Sequence, residues 1–202
     1  MFVHLFSGLH FMINSTGPTR VMSLGGLRHW KDGRDVPDVM VGIYEYPKTD
    51  THPAFNLSLH VNFVSGEGDN YGLRLVGSEG VMTVGNSVTL ERRPRLSEPD
   101  GYAIPSFPRA MQETYLKESR AKSGETGPQI RASNDEQYTV SSRYDARLDH
   151  FANFFNAMRT RGAVVEDPTF GLRAAGPSLL TNESYYNNRA YSWDPQAMKV
   201  LK

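Results

Sequence analysis

The chain has 202 residues, 39% of them hydrophobic and 11% aromatic, enough to build one sizeable buried core. Lys plus Arg equals Asp plus Glu at 22 each, so no overall field favours nucleic acid or an anionic membrane. The absence of cysteine excludes disulfides, thiolate metal sites and cysteine nucleophiles, and it fits a reducing, cytoplasmic compartment.

The first segment, residues 2 to about 14, is apolar and stops at the breaker cluster Asn14-Ser15-Thr16-Gly17-Pro18, which predicts a buried helix. It lacks the basic leader and small-residue cleavage site of a signal peptide. Nor does any run in the chain approach the roughly 18 apolar residues that span a bilayer. Arg20 to Leu24 reads as a short strand ending at Gly25-Gly26, followed by a polar loop and a second strand through Val39, Val41 and Ile43. From Phe55 to Phe63 apolar residues alternate with Asn56, Ser58, His60 and Asn62, the period of a strand with one packed and one open face. Gly-rich turns then separate three more strands, Gly72 to Val76, Val81 to Val84 and Val88 to Arg92, giving a meander of hairpins. The basic cluster Arg92, Arg93 and Arg95 reads as a solvated strand end.

Residues 94 to 142 interrupt this pattern with Pro94, Pro99, Pro105 and Pro108 and a polar tract from Lys117 to Gln137. They predict a long loop or insertion carrying one short helix near 109 to 118. Beyond it Leu148, Phe151, Phe155 and Met158 recur at helical spacing, with Arg159 and Arg161 before Gly162, a favourable basic end and stop. Asp167-Pro168 then caps a last helix carrying Phe170, Leu172, Ala174, Ala175 and Leu179, and Tyr191 to Trp193 reads as an edge strand. Together the elements predict one α+β domain over residues 1–202: a mostly antiparallel open sheet with helices packed on one face, and no Rossmann domain.

Few residues have the arrangement that chemistry needs. The glycine run Gly66-x-Gly68-x-x-x-Gly72 has the wrong spacing for a dinucleotide cradle and lies between two strands, so it reads as a hairpin turn. Ser78 is not framed as a nucleophile elbow. His4 and His10 stand about 240° apart on a helix, and no metal-ligand spacing occurs elsewhere. No cofactor or metal is therefore expected on this chain alone.

The tract from Asp149 to Asp194 combines a Phe-rich helix, Arg159-Thr160-Arg161, Asp167, Gly171, Arg173-Ala174-Ala175 and Arg189-x-x-x-Trp193. That order resembles the end of the Gfo/Idh/MocA oxidoreductases, NAD(P)-dependent enzymes acting mostly on sugars and polyols. In that family a Rossmann domain and a Glu-Lys-Pro tripeptide come first, and neither occurs here. The resemblance implies the C-terminal, substrate-binding and oligomerising half of such an enzyme, inactive alone, whose Rossmann domain lies in a longer parent or comes in trans. A stand-alone binding or scaffold protein is the alternative.

The family's helix motif Asp-x-Gly-x-His carries a histidine that serves as general acid/base. Here Gly8 and His10 match it, while Phe6 stands in place of the aspartate and Ile13 in place of a later one. The resemblance makes His10 the catalytic and substrate-binding candidate, against the reading of a histidine satisfied inside a packed helix. His29, after the Gly25-Gly26 turn, is a second substrate-binding candidate. The same resemblance suggests a homodimer through the Asn56, Ser58, His60 and Asn62 face.

Overall fold

The computed structural model describes residues 1–68, 70–92, 103–123 and 135–201. Arg93 and Arg95 of the basic cluster, and 94–102 and 124–134 of the expected loop, lie outside the described residues. The chain forms two compact units, Met1–Tyr71 with Arg143–Lys202, and Gly72–Ser142. It is α+β, and every strand pairing is antiparallel among the described residues.

The first unit is built on a five-stranded sheet in the order β3-β2-β1-β8-β9. Its strands are β1 (Arg20–Gly26), β2 (Val39–Tyr46), β3 (Phe55–Asn62), β8 (Tyr191–Asp194) and β9 (Lys199–Leu201). The register sets Val21 opposite Tyr44, Ser23 opposite Gly42, and Leu59 opposite Gly42 from the other side. Val21, Ser23, Met40, Tyr44, Tyr46 and Leu59 therefore share one face, and all are buried. The expected edge strand at Tyr191 to Trp193 is interior: β8 pairs with β1 on one side and β9 on the other.

Two helices cover that face, α1 (Phe2–Ile13) and α4 (Pro168–Asn187), packed on each other with α4 lying on β1. Only one side of α1 is buried, through Phe2, Phe6, Leu9 and His10, and Phe11 and Met12 are exposed. It ends where Asn14 turns left-handed, at φ 52°, and donates its N–H to the His10 carbonyl, a helix stop that asparagine tolerates. Asp167 caps α4 by accepting from the Phe170 N–H at 2.8 Å.

Leu172 and Leu179, two of the apolar residues of the expected helix, are exposed; the buried stripe of α4 is Ala174, Gly176, Pro177, Leu180, Thr181 and Ser184. Small residues face inward because the helix lies close to the sheet. A Cβ on Gly176 would meet the Trp193 ring at 2.7 Å, a contact too short for any side chain to keep. Several polar groups in this interface are paired with one another. Ser23 donates its backbone N–H to Ser184 Oγ at 2.9 Å and its hydroxyl to the Thr181 carbonyl at 2.6 Å. Thr181 donates to the Pro177 carbonyl and so accepts from Tyr44 Oη, 2.7 Å away.

The helix α3 (Ala146–Thr160) is capped by Asp145, which accepts from the Arg147 and Leu148 N–H groups. Unlike α4 it has no buried residue, although Leu148, Phe151, Phe155 and Met158 recur at helical spacing. The second unit holds a four-stranded sheet in the order β4-β5-β6-β7, from β4 (Leu73–Val76), β5 (Gly80–Val84), β6 (Ser87–Arg92) and β7 (Asp135–Thr139). It also contains α2 (Arg109–Ser123). Strand β7 falls inside the expected loop; its residues, Asp-Glu-Gln-Tyr-Thr, are all exposed and carry no apolar alternation. No helix among the described residues is long and apolar enough to cross a membrane.

Candidate functional site

His10 lies on the buried side of α1 with 1% of its surface exposed. Its Nε2 is 2.9 Å from Tyr46 Oη, and Phe6, one turn earlier, meets Tyr44 edge-on at 4.9 Å. Burial above all, then the neighbouring Arg173 guanidinium and His52, lower the His10 pKa from 6.5 to about 4. The imidazole is thus neutral at pH 7 and no carboxylate steadies it, as the Phe6 substitution leads one to expect. Burial also raises the Tyr46 hydroxyl well above the usual tyrosine range, so Tyr46 stays protonated. Its ring stacks on Phe55 at 4.4 Å.

A second histidine, unremarked in the sequence, joins this cluster. His52 Nδ1 sits 2.9 Å from the Pro53 carbonyl, which can only accept, so Nδ1 carries a proton. Its Nε2 lies 3.0 Å from Ser15 Oγ, and Ser15 Oγ also accepts from the Gly17 N–H. Gly17, at φ +125°, approaches His10, the Arg173 carbonyl and Pro195 so closely that a Cβ there would lie within 3.9 Å of each. Three buried polar atoms among the described residues lack a hydrogen-bond partner: His10 Nδ1, Arg173 Nε and Trp193 Nε1. They come from α1, α4 and β8, which meet around this end of the sheet.

His29 is positioned by different means. Asp38 is buried and its carboxylate accepts from the backbone N–H groups of Arg28 at 2.7 Å, His29 at 2.8 Å and Trp30 at 3.0 Å. Desolvation works to raise its pKa, but these hydrogen bonds outweigh it and bring the group to about 2. The backbone of 28–30 is fixed while the His29 ring stays exposed, edge-on to Trp30 at 6.1 Å. The Arg34 guanidinium covers the Trp30 face at 4.3 Å. His10 is bonded to Tyr46 at one end of β2 and His29 hangs from Asp38 at the other. Eight residues at about 3.3 Å each separate the two ends, so the fold does not bring these two candidates together.

Asn56, Ser58, His60 and Asn62 all point to the open face of the five-stranded sheet and are exposed. Register sets them opposite Glu45, Ile43, Val41 and Val39. Met22, Leu24 and Ile43, on the same face, are exposed as well. The polar strand is therefore the border of an apolar patch. Among the described residues no group of three metal-ligating side chains forms.

Solved structures with this arrangement exist at low sequence identity. An oxidoreductase from Agrobacterium radiobacter, in complex with NAD+, L-tartaric acid and magnesium, matches 98% of this chain and 48% of its own with a TM-score of 0.56 and 11% identity. A designated oxidoreductase from Thermotoga maritima matches 93% of this chain and 44% of its own, at 0.55 and 11%. An NAD-binding protein from Listeria innocua matches 94% and 49%, at 0.50 and 12%. The fold of this chain is that of part of these structures. This chain spans about half the length of the structures it matches. No protein-family model matches the sequence, and no curated protein does.

Among the described residues no dinucleotide cradle of the strand-to-helix kind is seen. The pyrophosphate of a dinucleotide needs a glycine-rich turn between a strand and a helix. Among the described residues, the stretches that lead into α2 and α3, 103–108 and 140–145, contain no glycine. Gly66 and Gly68 lie between β3 and β4, with no helix after them.

Proposed function

We propose that this chain is the substrate-binding and oligomerising half of a sugar- or polyol-type NAD(P)-dependent oxidoreductase. Hydride transfer then requires a nucleotide-binding half, in a longer parent or in trans. One observation carries the reading: nearly the whole chain has the fold of about half of a structure that contains NAD+, and its described residues show no dinucleotide cradle. NAD or NADP belongs to the complete enzyme. A cytoplasmic setting suits a chain without cysteine.

In this reading the chain's residues shape a pocket and hold a hydroxyl substrate against the cofactor. His10 is the catalytic and substrate-binding candidate, acting as a neutral hydrogen-bonding group with Nδ1 unpaired. His29 is a second substrate contact on a loop held by Asp38. The test is dehydrogenation of a panel of sugars and polyols with NAD+ and NADP+. The chain alone is expected to be inactive, and turnover is expected only with a nucleotide-binding half supplied. Turnover by the chain alone defeats the proposal.

The alternative, a stand-alone binding or scaffold protein, draws on the deep burial of His10 and on Phe6 in place of a carboxylate. It predicts no turnover under any complementation. Both readings share a homodimer through the open sheet face, with Met22, Leu24 and Ile43 at its centre and Asn56, Ser58, His60 and Asn62 at its border. A two-fold contact of this kind is self-complementary. Sedimentation showing a monomer at micromolar concentration, or an unchanged dimer in Ile43→Lys, removes it.

A further inference from the structure

We propose that α3 is the seat of the nucleotide-binding domain: its apolar stripe is covered by that domain's surface in the complete enzyme. The inference rests on the function proposed above and deepens it by naming the surface at which the two halves meet.

Leu148, Phe151, Phe154, Phe155 and Met158 are 46 to 69% exposed. At 100° per residue they fall within about 120° of the helix circumference, while Asp149, Asn153, Asn156 and Thr160 lie on the other side. Half of five large side chains amounts to roughly 400 Å² of open apolar surface, a size at which a patch on a monomer is commonly an interaction site. The helix is nonetheless well made, with the Asp145 cap at its start and Arg161 in a left-handed turn at its end. A capped helix with a full apolar face and no buried residue is built for a partner.

Two observations choose the occupant. The structures that share this fold are about twice as long as this chain. In the one that contains NAD+, about half of the chain lies outside the match, which is room for a nucleotide-binding domain of similar size. Charge gives the second argument. Arg147 stands within the stripe at its first turn, Arg159 borders it and Arg161 closes it, with Arg159 lying 5.9 Å over the Phe155 ring. Two copies of α3 packed face to face would bring these arginines together and repel. The partner surface is therefore apolar at its centre and bordered by carboxylates, which a second α3 does not supply.

The test joins the half of the Agrobacterium radiobacter oxidoreductase that this chain does not match ahead of Met1. Hydrogen exchange is compared with the chain alone, for the wild type and for Phe151→Asp/Phe155→Asp. Exchange across 146–160 is expected to slow by about tenfold or more in the fusion, and this slowing is expected to disappear in the double variant. Slowing elsewhere in the first unit but not on α3 overturns the seat while leaving the two-half reading intact. No slowing anywhere in the chain overturns both. An α3 already slow in the chain alone overturns the seat too: if it speeds up on dilution, a second copy covers it, and if it does not, the chain covers it itself.

Discussion

His10 links stability to pH in a way that can be worked from the structure. Its pKa is about 4 in the folded chain against 6.5 for the free side chain. Between those values the unfolded chain holds a proton that the folded chain does not, so folding stability rises with pH there. The contribution is fully present above 6.5 and is lost as the pH falls toward 4. The whole span is worth about 3 kcal/mol, and at pH 5 about 2 kcal/mol of it has gone. Because other groups titrate over the same range, the measurement is a difference: urea unfolding of wild type and His10→Gln at about pH 7.5 and pH 5, followed through the buried Trp193. Wild type is expected to lose about 2 kcal/mol more than the variant on acidification. Equal losses refute the picture of a neutral, sequestered imidazole.

The packing of α4 yields further expectations. Ser184→Ala strands the Ser23 N–H and the Arg189 carbonyl, both partners of its hydroxyl, and is expected to cost about 2–4 kcal/mol in urea unfolding; a cost under about 0.5 kcal/mol contradicts the assigned bonds. Gly176→Val is expected to lose at least about 1–3 kcal/mol through collision with Trp193, and a neutral effect would mean the helix sits farther from the sheet. Asp38→Ala releases the Arg28, His29 and Trp30 amides, whose hydrogen exchange is expected to accelerate while the α1 amides stay unchanged. Unaltered exchange at 28–30 would show that the loop is held by something else.

Much of the architecture was legible in the chain because its cause is local. The alternation from Phe55 and the glycine turns after it give β3 to β6 directly, and Asn14 and Asp167 mark helix ends through their own backbone and side-chain chemistry. The core of α4 was not legible. Hydrophobicity favours Leu172 and Leu179, but the close approach to Trp193 selects Gly176, Thr181 and Ser184, which only the tertiary contact explains. Strand β7 escaped for a similar reason: with every residue exposed, its pairing to β6 leaves no apolar pattern. Of the site, His10 was found by resemblance. Tyr46 had a signal of its own, since it shares the two-residue phase of Met40 and Tyr44 on β2. His52, Ser15 and Arg173 join it from distant positions, and nothing in their spacing announces the meeting.

The central claim is that this fold supplies the half of an oxidoreductase that does not hold the nucleotide. Calorimetric titration of the chain alone with NAD+, NADH, NADP+ and NADPH tests it most directly. The account predicts no binding at micromolar concentration for any of the four. Saturable micromolar binding of one of them would contradict it, because it would place a dinucleotide site on a chain whose described residues show no glycine-rich strand-to-helix turn.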